Sequence, residues 1–259
     1  MDFGLAGRRA LVLGASRGLG AAIARALAEE GADVVAASRS GTISWADALP
    51  ADVQSRIRAV SLDLVDAQAR ALAIKTLLAE APIDILVNNT GGPPPSPVTE
   101  VTEAAWKQHF ETMAVSLFDI AGRMAPQMAE RGWGRILTIA SSGVDQPIPN
   151  LGVSNAIRAS LVGWSKTLAG ELASKGVTVN VILPGRIHTD RVDELDRATA
   201  SRNGTTAAEI ARASAASIPA GRYGTPEEFA AVATFLCSSQ ASYVTGSKIR
   251  VDGGAIRSI

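Results

Sequence analysis

Sulfur chemistry is nearly absent from this 259-residue chain: it has one cysteine, Cys237. No internal disulfide and no thiolate metal cage can be built from one thiol, which points to a reducing compartment. Neither sign of charge is in excess, since 25 basic side chains face 25 acidic ones. Without a net field there is little to hold a phosphate polymer or an anionic membrane surface, so nucleic-acid and membrane partners are not expected. No run reaches 18 uncharged apolar residues, and Met1–Arg9 carry no continuous apolar segment. A spanning helix and a secretory signal are therefore not expected, and the cytoplasm is the expected location. Aromatic residues make up 4% of the chain, with Tyr223 and Tyr243 as the only tyrosines and His109 and His188 as the only histidines. What the chain does have is apolar material, 47% of residues against 19% charged, ample for a large buried core and inconsistent with a disordered protein.

Short β-branched runs alternate with longer Ala- and Leu-rich stretches of helical period, the pattern of βαβ units and a parallel sheet. Seven strands are predicted, at Ala10–Leu13, Asp33–Ala37, Arg58–Leu62, Ile83–Val87, Arg135–Ile139, Thr178–Leu183 and Lys248–Val251. Helices are predicted at Leu19–Glu30, whose Ile23, Ala26 and Leu27 form one apolar face, and at Glu103–Arg131, Asn155–Ser174 and Pro226–Ser238. No linker or repeat interrupts the series, so a single α/β domain with a Rossmann-like, doubly wound seven-stranded parallel sheet is expected. Asp190–Thr225 is the least regular stretch and is expected to be a mobile substrate lid.

The first strand runs into Gly14-Ala15-Ser16-Arg17-Gly18-Leu19-Gly20 and then straight into a helix. Glycine lets the backbone turn tightly and approach a pyrophosphate, while a helix N-terminus offers unpaired N–H groups and a positive dipole end. The second strand leads into Ser38-Arg39, where a site for an unphosphorylated dinucleotide would carry an acid. A guanidinium there, helped by Arg17, suits a 2′-phosphate, and NADP(H) is the expected cofactor.

The spacing Gly14-x-x-x-Gly18-x-Gly20 resembles that of the short-chain dehydrogenase/reductase family, and further motifs agree over nearly the whole chain. Asn88-Asn89-Thr90-Gly91 is similar to the family's Asn-Asn-Ala-Gly, Pro184-Gly185 followed by Thr189 to its nicotinamide-side loop, and Val251-Asp252-Gly253-Gly254 to its C-terminal signature. The bacterial 3-oxoacyl-thioester reductases are the most similar branch. The resemblance implies that Gly14, Ser16, Arg17, Gly18, Leu19, Gly20, Ser38, Arg39, Asp63, Leu64, Asn89, Gly91, Arg158, Pro184, Gly185 and Thr189 hold the cofactor. It also implies a small-molecule substrate and a homo-oligomer, a tetramer or dimer built through the helices at Glu103–Arg131 and Asn155–Ser174.

The active site departs from the family pattern, which implies a serine, a tyrosine thirteen positions on, a lysine four beyond that, and an asparagine on the preceding helix. Ser141 fits the serine, but the tyrosine position holds Ser154, the lysine position Arg158 and the asparagine position Met113. A serine hydroxyl is a far weaker acid than a phenol, and arginine stays protonated, so the usual proton relay cannot run. Ser141, Ser154 and Arg158 remain as a donor cluster able to polarise an oxygen or clamp a carboxylate. His188, three residues after Gly185, is a candidate proton donor, because an imidazole gives up a proton near neutral pH, and a substrate that needs less acid assistance is another way out. Asp145 and water are alternatives, and His109 is assigned no role. Three readings stay open: an NADP(H)-dependent oxidoreductase acting on a carbonyl or imine-type substrate, a dinucleotide-binding protein without turnover, and a non-redox enzyme using the Ser/Arg cluster.

Overall fold

A computed structural model describes residues 2–258. Seven strands, β1 (Arg9–Leu13), β2 (Asp33–Ser38), β3 (Ile57–Ser61), β4 (Ile85–Asn88), β5 (Gly134–Ile139), β6 (Val177–Pro184) and β7 (Lys248–Val251), form one parallel sheet in the order β3-β2-β1-β4-β5-β6-β7. The helices are α1 (Gly18–Glu29), α2 (Ala51–Gln54), α3 (Ala67–Glu80), α4 (Glu103–Phe110), α5 (Ser116–Glu130), α6 (Gly152–Leu172), α7 (Asp190–Asn203), α8 (Ala207–Ser217) and α9 (Pro226–Cys237). All seven predicted strands are present within two residues of their expected ends.

Both faces of the sheet are covered, which is why its strands read as continuous apolar runs. Along β1, Leu11 and Leu13 enter one core with Ile74, Met113, Leu117 and Ile157, while Ala10 and Val12 enter the other with Ile23, Leu27 and Phe229. This is the two-residue period of an extended chain, and each Leu or Ile fully buried this way contributes about 1.5–3 kcal/mol. A one-residue slip of β1 would exchange the two sets, so the register Leu11↔Val35 and Leu11↔Leu86 is firmly set.

Three expectations about helices need correction. Glu103–Arg131 is not one α-helix: a π turn at Glu111–Val115 separates α4 from α5 and buries Met113. Asp190–Thr225 is not irregular, because it forms α7 and α8, the latter opened by a capping box between Thr206 and Glu209. Helix α3 was not anticipated. Its inner face is Arg70, Ile74 and Leu77, and the buried arginine hides the apolar stripe. Arg70 is held there by Asp119, at 3.2 Å, and Glu111, at 3.5 Å.

A parallel sheet puts the C-terminal ends of all its strands on one edge. Strand order reverses between β1 and β4, and there the loops part to leave a crevice. Gly14, Arg39, Asp63, Asn89, Ser141 and Gly185 each follow the end of a different strand and so collect at that edge.

Candidate active site

These loops line a cleft of about 950 Å³. Its first wall is the glycine loop. Gly14 adopts φ +61°, a left-handed conformation that side chains with a Cβ resist. A Cβ on Gly20 would lie 2.3 Å from the Gly14 carbonyl oxygen and 2.8 Å from the Asn89 amide nitrogen. The loop is tied from outside by the Asn89 amide, which donates to the Gly14 carbonyl at 3.3 Å, and by the Trp45 indole N–H, which donates to the Ala15 carbonyl at 2.8 Å. Trp45 had no expected role, and nothing in its local sequence announces this contact. The N-terminus of α1 is left open, because Arg17 at its cap makes no side-chain hydrogen bond to the helix. This is a cradle with free backbone donors and no room for a side chain, and it fits a pyrophosphate.

Arg17 and Arg39 both line the cleft but differ in state. Arg17 reaches Asp190 at 3.2 Å and Glu194 at 3.7 Å on α7, whereas Arg39 pairs with no carboxylate among the described residues. Ser38 is buried beneath it, its hydroxyl accepting from the Gly41 N–H at 3.1 Å. Asp63, Leu64, Gly91, Pro184 and Thr189 line the same cleft, as do Ser16, Gly18, Leu19 and Gly185.

Ser141, Ser154 and Arg158 line the same cleft. Ser141 caps the short turn after β5, its Oγ accepting from the Gly143 N–H at 3.1 Å, which leaves the hydroxyl proton free to donate. Ser154 and Arg158 lie one turn apart on α6, both buried. The Arg158 guanidinium donates to the carbonyls of Ile139, at 2.9 Å, and Thr90, at 3.1 Å, and so bridges the ends of β5 and β4. Burial, with a smaller push from the Arg191 charge, lowers its pKa to about 10, so it stays cationic at neutral pH.

The structure does not bring His188 to this cluster. Its side chain is 70% exposed, faces Asp193 at 3.6 Å and is not among the residues lining the cleft. Asp145 is likewise elsewhere, ion-paired with Lys248 and Arg250 of β7. Tyr223 does not substitute for the missing phenol: its hydroxyl donates to Asp196 at 2.8 Å, off the cleft. The imidazole that does line the cleft is His109. It lies near the end of α4, four residues before Met113 of the π turn, and that spacing within the single helix expected from sequence could have flagged it. Among the described residues no cluster of His, Cys, Asp or Glu could hold a metal, and no helix is long and apolar enough to cross a membrane.

Fold, glycine cradle and strand-end cleft together define a dinucleotide-binding oxidoreductase scaffold, and comparison with known proteins identifies which one. A family model described as enoyl-(acyl carrier protein) reductase matches residues 14–255. The 3-oxoacyl-[acyl-carrier-protein] reductase FabG of Vibrio cholerae is 36% identical over 96% of this chain and 98% of its own, and that of Escherichia coli is 37% identical over 96% and 97%. Among solved structures, L-sorbose reductase from Gluconobacter frateurii, complexed with NADPH and L-sorbose, superposes with TM-score 0.90 at 30% identity over the full length of both chains. YwfH, an NADPH-dependent reductase involved in bacilysin biosynthesis, gives 0.89 at 30% identity over 98% of this chain and 100% of its own. The chain belongs to the short-chain dehydrogenase/reductase family and is an oxidoreductase of that type.

Proposed function

We propose that this protein is an NADP(H)-dependent reductase of a small carbonyl or imine-type substrate that works without a tyrosine acid. The observation that carries this reading is the build of a single cleft, lined by a glycine cradle and an unpaired Arg39 and also by a half-buried Ser141 with the buried Ser154 and Arg158. In this reading the loop Gly14–Gly20 holds the pyrophosphate, and Arg39 with Arg17 binds the 2′-phosphate over Ser38. Asp63 and Leu64 flank the adenine, and Asn89, Gly91, Pro184, Gly185 and Thr189 flank the nicotinamide. Bound there, the nicotinamide supplies hydride. Relatives named as reductases of 3-oxoacyl thioesters and of L-sorbose support a carbonyl as acceptor.

The side chains of this chain then have to stabilise negative charge on the acceptor oxygen and deliver one proton. Two hydroxyls and a cation in a poorly solvated pocket can do the first, since such donors act far more strongly there than in water. Arg158 cannot do the second, because it keeps its proton. His109 is the proton donor in this reading, and it takes the place expected for His188. Helix α7, resting on the glycine loop through Asp190 and Glu194 and on the far wall through Arg191, which donates to the Pro93 carbonyl at 2.7 Å, is the lid.

The test is NADPH oxidation, followed by absorbance, over a panel of small oxo compounds. Turnover that His109→Gln lowers about 100-fold, with NADPH affinity kept and His188→Gln harmless, is the expected result. Tight NADPH binding with no oxidation across the panel would instead select the binding-protein reading.

A further inference from the structure

Six arginines line the cleft, and five of them have their charge met. Arg17, Arg186 and Arg191 pair with carboxylates, and Arg39 and Arg202 are exposed to water. Arg158 is the exception. It is buried, and no carboxylate among the described residues pairs with it. Two of its five N–H donors are used, on the carbonyls of Ile139 and Thr90. A buried cation without a counterion is costly, and two carbonyl dipoles do not cancel a full charge.

A second observation points the same way. Thr90 lines the cleft, is 7% exposed, and its Oγ1 is buried with no hydrogen-bond partner. Buried hydroxyls in folded proteins are nearly always paired, so an unpaired one beside an uncompensated cation marks a place for an acceptor. A ligand hydroxyl would take one hydrogen bond and leave the charge. A carboxylate fits the guanidinium fork, cancels the charge and has lone pairs left for Thr90 and Ser154. Arg191 of α7 lines the same cleft and its charge bears on Arg158, though Glu194 at 3.4 Å partly offsets it.

We infer that the substrate is a small oxo acid whose carboxylate seats against Arg158, with the Thr90 and Ser154 hydroxyls beside it. This rests on the reductase reading of the same cleft and narrows it. Ser141 completes the cluster at the oxo group, and in a 2-oxo or 3-oxo acid the acid and the reacting carbon are close neighbours, so Arg158 and Ser154 face the carboxylate and the developing alkoxide together.

Two measurements test it separately. The first needs no turnover: thermal unfolding of the full chain without cofactor, in sodium malonate, in malonamide and in sodium chloride and phosphate at matched ionic strength. A saturable rise in Tm with malonate alone, lost in Arg158→Met and weakened severalfold in Arg191→Gln, is expected. An equal rise with phosphate, or one that both variants keep, overturns the carboxylate site. Arg191→Gln changes a partly exposed side chain, so the test stands even where Arg158→Met does not fold. The second compares NADPH oxidation with 2-oxobutanoate and its methyl ester, the acid being favoured by at least about tenfold in kcat/KM, as expected for a charge-assisted pair. Equal rates for acid and ester reject the oxo acid and keep the reductase. A malonate effect that depends on Arg158, with no NADPH oxidation, keeps the anion site and rejects the reductase.

Discussion

Replacing Arg39 with alanine removes the cleft's one phosphate-side cation that no carboxylate engages among the described residues, and the cost can be worked from its surroundings. Hydrogen bonds to a charged partner contribute about 1.5–3 kcal/mol, and an exposed guanidinium falls at the lower end. About 1.5 kcal/mol corresponds to roughly a tenfold rise in the Kd for NADPH. NADH lacks the phosphate, so its Kd should stay put and selectivity should fall by the same factor. Arg17→Ala should cost less. Its guanidinium already holds Asp190 at 3.2 Å and Glu194 at 3.7 Å, so binding phosphate exchanges one set of exposed ion pairs for another, a net of about 0–1 kcal/mol. Fluorescence titration of both variants with NADPH and NADH reads these numbers directly. Added salt should narrow the NADPH preference, because the contact is exposed. An Arg39→Ala variant that binds NADPH within twofold of the parent, or weakens NADH equally, refutes the assignment. So does an Arg17→Ala loss larger than the Arg39→Ala loss.

Other expectations follow from the same structure. Gly20→Ala forces a methyl against the Gly14 carbonyl, which backbone cannot yield cheaply; a loss of about 1–3 kcal/mol in urea unfolding is expected, together with loss of dinucleotide binding. The Glu228 carboxyl, held to about 2 by Arg222 and by the Thr225 N–H at the start of α9, is depressed below its unfolded value. The stability it adds is therefore present above the ordinary carboxylate range and lost as pH falls toward about 2, so Tm curves of the parent and Glu228→Gln should converge at acid pH and separate toward neutrality. The Cys237 thiol, pushed up to about 12 by burial, should resist a thiol reagent in the native state and react at once in denaturant.

Much of the half of the cleft proposed for the cofactor was legible because it is written locally. Gly14, Gly18 and Gly20 sit between a strand and a helix, and Ser38-Arg39 ends the next strand, so chain order alone brings them to one edge of a parallel sheet. The substrate half was less legible. His188 lies beside a loop that lines the cleft, yet its side chain turns outward to Asp193, a choice made by the path of the chain into α7. His109 lies far from that loop in sequence, on α4, which packs against α6, and the fold brings it to the cleft.

Two of the three helical segments misjudged from sequence share one cause. Helix α3 buries Arg70 between apolar neighbours, and α7 buries Asp196 between Val192 and Ala200. Each charge is met from another part of the chain: Arg70 by Asp119 and Glu111, Asp196 by Arg186 at 2.6 Å and by the Tyr223 hydroxyl. Period and composition determine strands, amphipathic helices and glycine turns, because those depend on neighbours two to four residues away. Whether a charged side chain can face inward, and which imidazole reaches the cleft, depends on partners tens of residues distant, and tertiary structure alone decided it.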